Sequence, residues 1–260
     1  MGKKIFITAS LALLFYVTCV SAEQSSGEKA LLNQVIKGAI SDLVEDNSAF
    51  AKSKSAEHFE GFQDIQHPRV TMVMCSDSRV QTNNFSLDGA ENDIFVARNI
   101  GNQFITTKGS IEYGVDVLKT PVLIFVGHSH CGAINAAMGD ISQIAPAIRK
   151  ELKTLNVKAA PDDKQGVVLN VHNQVAESLN SFKEKVDSGQ LAIIGAVYDF
   201  RNDYGYGKGQ LIIVNLNGEK DPQYIRNSHY FDDIQHVSIG IEGLKIAVDS
   251  EGSSDLPKVR

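Results

Sequence analysis

Two short clusters hold the residues best suited to chemistry: Cys75-Ser76-Asp77-Ser78-Arg79 and His128-Ser129-His130-Cys131-Gly132. The thiolates of Cys75 and Cys131 with the imidazole of His128 make a zinc set that leaves a fourth position open. Zinc held this way lowers the pKa of its water to about 7, which supplies hydroxide near neutral pH. Asp77 follows the first ligand closely enough to accept a hydrogen bond from that hydroxide and aim its lone pair at an electrophile. Arg79 can grip Asp77 with two parallel hydrogen bonds, fixing its direction and keeping it ionised. The same flexibility permits an inhibited arrangement, in which Asp77 leaves Arg79 and takes the open metal position. The pattern points to metal-assisted chemistry on a small molecule. The alternatives are a loop-stabilising Asp77–Arg79 ion pair and a Cys75–Cys131 disulfide, the latter in a non-catalytic α/β binding protein.

The clusters need elements that bring them together. From Pro68 onward, short β-branched runs alternate with helical patterns. Val70–Met74, Ile94–Ala97, Val122–Val126, Leu191–Val197 and Leu211–Val214 read as strands buried on both faces. Residues 108–118, 133–138, 141–155 and 167–186 carry helical spacing, and Pro161-Asp162-Asp163 marks a loop between the last two. This alternation predicts an α/β fold with a mainly parallel central sheet flanked by helices. Cys75 and His128 then both fall at carboxyl ends of strands, where open α/β sheets place their ligand crevices. Upstream, Leu31, Leu32, Val35, Ile36, Ile40, Leu43 and Val44 recur at helical spacing and predict an N-terminal helical arm, its apolar face made for the core or another subunit.

The ends and the composition narrow the setting. Residues 1–22 read as an export signal: Lys3 and Lys4, an apolar run from Ile5 to Val17, and Val20-Ser21-Ala22 as a small-residue cleavage site. Cys19 leaves with that signal. Loss of the two lysines moves the formal charge from -6 to -8, and an acidic chain without basic blocks excludes nucleic acid as a partner. No later run is long enough to span a bilayer, so no membrane contact is expected after signal removal. The expected location is periplasmic or secreted. The expected organisation is a signal at 1–22, the arm at 23–57, a zinc-binding core at 58–218 and an extension at 219–260 with no assigned role. Within that extension 237–248 offers one or two edge strands, and 250–260 reads as a flexible tail.

The two clusters together closely resemble the β-class carbonic anhydrases. Similarity continues through Gln66 before the first strand, Phe95-Val96-Ala97-Arg98-Asn99-Ile100-Gly101-Asn102, Ile111-Glu112-Tyr113, Asn170-Val171-His172-Asn173-Gln174-Val175 and Gly195-Ala196-Val197-Tyr198-Asp199, covering Ala30 to Asn217. The resemblance implies one zinc ion per chain on Cys75, His128 and Cys131, with Asp77 and Arg79 as the catalytic dyad. Gln66, Phe95, Ile100, Tyr113 and the Gly132 backbone would line a pocket for CO2 and bicarbonate. The implied reaction is attack of zinc-bound hydroxide on CO2, with release of bicarbonate and a proton. Hydrolysis of a CO2-like molecule, carbon disulfide or carbonyl sulfide, is the alternative that the same metal set allows.

The resemblance also implies a homodimer or a dimer of dimers, with the pocket built across the interface, so that Gln66, Phe95 and Tyr113 serve a neighbouring subunit. One subgroup has a tryptophan three residues before its first cysteine; this chain has Met72 there and no tryptophan, which favours the open, plant-like form. The stretch Asn202–Gly207 and everything beyond Gly218 depart from the family pattern. His130 is a candidate proton relay. His58, His67, His172, His229 and His236 read as surface or structural, and Asn84-Phe85-Ser86 fits a glycosylation acceptor.

Overall fold

A computed structural model describes the backbone of residues 8–86 and 89–240, and side chains from residue 27 onward. The chain divides into two units, 1–63 and 64–260. The first contains helix α1 (Thr8–Ser53) and the short α2 (Ala56–Glu60). Helix α1 runs unbroken through the expected cleavage site, while residues 1–7 lie outside the described region. The arm's apolar stripe, Leu31 to Val44, is exposed along its length. Phe50, His58, Phe59 and Phe62 pack their rings edge to face at the foot of the arm. No helix among the described residues is long and apolar enough to cross a membrane.

The second unit is built on a six-stranded sheet of β1 (Val70–Cys75), β2 (Ile94–Asn99), β3 (Val122–His128), β4 (Ala192–Asp199), β5 (Gln210–Leu216) and β6 (Ser238–Ile239). Their order is β2-β1-β3-β4-β5-β6, and every pair is parallel except β4 with β5. The first five strands lie where the apolar runs predict them. The connections carry α3 (Lys108–Glu112) with a π-helical turn at Tyr113–Val117, α4 (Gly132–Met138), α5 (Pro146–Leu152) and α6 (Asp163–Asp187). The helix expected over 141–155 is shorter, because Pro146 sits in its first turn and begins it there. Helix α6 starts earlier than its apolar pattern does, since the Asp162 carboxylate caps it by accepting from Gln165 N at 2.9 Å.

Strand alternation sorts the core onto two faces. Val73, Leu123, Phe125 and Ile193 point to one side and pack with Val175 and Phe182 of α6. Met72, Met74, Ile124, Val126 and Ala196 point to the other. That second face is covered by Ile225 of α7 (Pro222–Arg226), by Phe231 and by Ile239 of β6. The first half of the 219–260 extension is thus a lid over the sheet; the rest of the edge strand expected at 237–248, and the tail at 250–260, lie outside the described residues. Helix α6 comes so close to the sheet that a Cβ on Gly127 would stand 2.8 Å from a methyl of Val171. This contact pins the end of β3, where His128 emerges.

Candidate active site

Strands β1 and β3 are direct parallel neighbours, with Met74 opposite Val126, so their carboxyl ends open onto the same crevice. Cys75 ends β1 and His128 ends β3. The tight turn after His128 carries the chain through His130, in the left-handed region at φ 53°, to Cys131 at the start of α4. The ligand atoms of Cys75, His128 and Cys131 all lie within 4.8 Å of one another, and all three residues are buried.

The donors are prepared for a metal. His128 Nδ1–H donates to Ser129 O at 3.1 Å, which leaves the Nε2 lone pair facing the crevice. That Nε2 is buried without a hydrogen-bond partner, an arrangement costly to maintain unless something else binds there. Both cysteines are free, so the disulfide alternative does not hold. Their sulfurs share a hydrogen bond: the Cys131 thiol donates to Cys75, so Cys75 ionises far more readily than an isolated thiol and Cys131 less readily. Gly101 N donates to the Cys75 sulfur at 3.4 Å. Two buried sulfurs, one already disposed to be a thiolate, and an orphaned imidazole nitrogen fit zinc well.

Asp77 and Arg79 lie beside this triad. Arg79 Nε and N–H both donate to Asp77 Oδ1, at 2.9 and 3.0 Å, and Nη2 donates to Oδ2 at 2.6 Å. This fork holds the Asp77 carboxyl well below the usual carboxylate range, against the opposing effect of burial. Asp77 Oδ2 stands 3.8 Å from His128 Nε2, so the ionised carboxylate borders the space that the triad faces. Arg79 in turn donates to His130 O at 3.3 Å and lies over the ring of Phe200, 4.9 Å from its centroid.

A carbonic anhydrase family model matches residues 70–205, the span from β1 to just past β4. Carbonic anhydrase 2 of Mycobacterium tuberculosis is 30% identical over 161 residues, 56% of this chain and 77% of that protein. Chloroplastic beta carbonic anhydrase 5 of Arabidopsis thaliana is 28% identical over 61% of each chain. Among solved structures, a tetrameric beta-carbonic anhydrase of Sordaria macrospora aligns with a TM-score of 0.58 at 26% identity, over 68% of this chain and 98% of that one. The chain belongs to the β-class carbonic anhydrases. It is an enzyme, and its reaction is the reversible hydration of CO2 to bicarbonate and a proton.

The residues expected in this carbonic anhydrase's pocket do not all gather at one place. Ile100, just after β2, packs against the cluster that contains Cys75 and Cys131. Gly132 opens α4, with free space where a side chain would stand. Phe95 and Tyr113 instead face each other, ring centroids 5.8 Å apart, near the start of β2. Phe95 pairs with Thr71 while Asn99 pairs with Cys75, which puts Phe95 about 13 Å along the strand from the triad. Gln66 is exposed and precedes β1. Phe95 and Tyr113 thus lie on the β2 side of the sheet, its outer edge.

Three further residues at the site escaped the sequence reading. Phe200 stacks on His128, with ring centroids 6.1 Å apart and 23° between planes, while also carrying Arg79. Asp163, in the first turn of α6, binds His130 Nδ1 at 3.2 Å. Arg98 donates to the carbonyls of the Cys75–Val80 loop. Arg98 stood in the sequence only as part of the stretch 95–102 and Asp163 only as part of the loop 161–163, neither with a role at the site.

Proposed function

We propose that Cys75, His128 and Cys131 hold one zinc ion per chain and that Asp77, fixed by Arg79, directs the attack on CO2. Bound zinc would supply a water acidified to a pKa of about 7 as the nucleophile. Asp77, ionised and held from both oxygens, accepts a hydrogen bond from the attacking water and so sets its orientation. Arg79 keeps that carboxylate turned towards the crevice and away from a ligand role, which is the open form of the site. Ile100, packed against the cluster of Cys75 and Cys131, would supply an apolar wall suited to CO2, and the backbone N–H of Gly132, the first residue of α4, would serve a bicarbonate oxygen. His130 and Asp163 form a half-exposed pair at the rim, a reasonable exit for the proton. The observation that carries this reading is the convergence of three buried ligand atoms with a carboxylate already oriented by a two-pronged arginine.

We further propose a homodimer or dimer of dimers in which β2 lies at the interface. Phe95 and its ring partner Tyr113 sit too far along the strand from their own triad to line it, on the outer edge of the sheet, where a second subunit would use them together with the exposed Gln66. The tetrameric state of the Sordaria macrospora relative supports an oligomer. Residues 1–22 are proposed as an export signal, giving a periplasmic or secreted enzyme.

The test is stopped-flow CO2 hydration with zinc content measured on the same sample. Activity should disappear when the metal is chelated, return when zinc is restored, and be lost in Asp77→Asn with zinc retained. Full activity in Asp77→Asn would defeat the role assigned to that carboxylate.

A further inference from the structure

Arg98 is the next-to-last residue of β2, and the scheme above gives it no task. Its side chain is partly buried, and among the described residues no carboxylate pairs with it. Instead the guanidinium serves one short loop. Nε and Nη2 donate to Cys75 O at 3.1 and 2.7 Å. Nη2 also reaches Asp77 O at 3.0 Å and Val80 O at 2.6 Å. Nη1 donates to the Gln81 side-chain oxygen at 3.0 Å, and Gln81 Nε2 returns to Ser78 O at 2.9 Å. Three main-chain carbonyls of a tight loop are thereby gathered onto one planar cation, which a lysine ammonium, lacking the fixed fork, cannot reproduce.

The loop so gathered is the one that bears a ligand at its start and the Asp77–Arg79 pair in its middle. Its other ties are Ser76 N to Asn99 O at 2.8 Å, Arg79 Nη2 to His130 O at 3.3 Å and Gly101 N to the Cys75 sulfur at 3.4 Å, while Val80 N closes a turn on Asp77 O at 3.1 Å. We infer that Arg98 is a positioning residue for CO2 hydration, folding the Cys75–Gln81 loop around its guanidinium so that the Asp77 carboxylate faces the ligand triad. It does not touch the reacting atoms. The Asp77–Arg79 contact fixes where the carboxylate points within the loop; Arg98 fixes the loop relative to the strand. The inference rests on the catalytic reading of Asp77.

Arg98→Lys tests it, since charge and stem remain while the fork is removed. Misplacement of a catalytic group by about an ångström costs up to about a hundredfold, so kcat should fall about tenfold or more with KM little changed. Zinc content should stay at one ion per chain. In the zinc-free protein, amide exchange at Val80 should accelerate while the β1 amides stay protected, a readout independent of turnover. Placed in an Asp77→Asn background, Arg98→Lys should change kcat by less than about twofold, because both act through one carboxylate.

Wild-type kcat in Arg98→Lys, or an equal loss in both backgrounds, would overturn the inference. Full activity in Asp77→Asn would overturn the dyad reading itself, and with it the role given to Arg98. Should Arg98→Lys fail to fold, Gln81→Ala removes the Nη1 acceptor together with the Ser78 O contact while leaving the carbonyl contacts of Arg98 in place. It should give a smaller loss of the same kind, and unchanged kcat with unchanged Val80 exchange there would overturn the inference.

Discussion

The two loops that deliver the metal ligands are held in opposite ways. The loop after β1 is held by side chains: the Arg98 fork on three carbonyls, the Arg79 fork on Asp77, and the Gln81 amide on Ser78 O. The loop after β3 is held largely by backbone. Ser129 N donates to Tyr198 O at 3.1 Å, extending the ladder between β3 and β4, and Asn135 N bonds Cys131 O at 3.0 Å as α4 begins. His130 takes a left-handed conformation there and sends its side chain outward to Asp163. A loop built from side-chain hydrogen bonds can be retuned by one substitution without disturbing the sheet. A loop that continues a strand pair cannot. The catalytic carboxylate sits on the adjustable loop, and two of the three ligands sit on the rigid one.

The largest effect expected is at the ligands, where the two loops should behave alike. Cys75→Ser and Cys131→Ser should each lose zinc and hydration activity together, measured as metal per chain and stopped-flow rate; stoichiometric zinc in either variant would contradict the ligand assignment. Next comes Asp77→Asn, expected to lower kcat by about a hundredfold or more with zinc kept. Because the Arg79 fork holds the Asp77 carboxyl well below the usual carboxylate range, its loss should also lower the thermal midpoint modestly.

The scaffold has its own signature. Burial, aided by the nearby Lys220 charge, pushes the His172 imidazole down to about 4, below its ordinary value of about 6.5. Between those values the unfolded chain binds a proton that the folded chain does not. Stability should therefore be unaffected by His172 above pH about 6.5, fall as pH drops through that window by at most about 3 kcal/mol, and level off below pH about 4. His172→Gln should flatten that slope in denaturant titrations across the window; an unchanged slope would assign it to other groups.

Gly127→Ala addresses the rigid loop. The added methyl would press on Val171 and Val167, with contacts of 2.8 and 3.1 Å, and should cost about 1–3 kcal/mol of stability. The folded, zinc-loaded fraction should keep nearly normal kcat, since backbone holds the loop in place. A large fall in kcat there would mean that the second loop is as adjustable as the first. The smallest change expected is Phe200→Leu, which removes the ring under Arg79 and beside His128. A partly exposed cation–π contact is worth about 0.5–1 kcal/mol, a few-fold in rate.

Much of this was legible from residue types. The β-branched runs 70–74 and 122–126 announced strands, and the cysteines and histidine placed just after them announced a site at strand ends. The Asp77–Arg79 contact could be anticipated because residues two apart in a turn can meet. Other features carried no local signal. Helix α7 was hidden because Ile225, like Phe231 after it, makes a single contact to the far side of the sheet and joins no periodic pattern, whereas β6 falls at the start of the edge-strand segment expected at 237–248. Phe200 carried no signal of its own, because only the fold brings it to His128 and Arg79. Arg98 was visible only as part of the stretch 95–102, because the three carbonyls it collects belong to a loop on the neighbouring strand.

What the sequence determined by itself was the chemistry available: a thiolate, imidazole and carboxylate set, each at the end of an element whose apolar period fixes its type. Side-chain chemistry and strand periodicity are local properties, so they survive in one dimension. What only the tertiary structure decided was adjacency. The pairing of β1 with β3 brings Cys75 to His128 and Cys131, and the pairing of β1 with β2 brings Arg98 to the loop that bears Asp77. The same pairing leaves Phe95 and Tyr113 at the outer edge, far from the triad. Which strands become neighbours depends on how the whole chain buries its apolar faces, and no single stretch of sequence carries that balance.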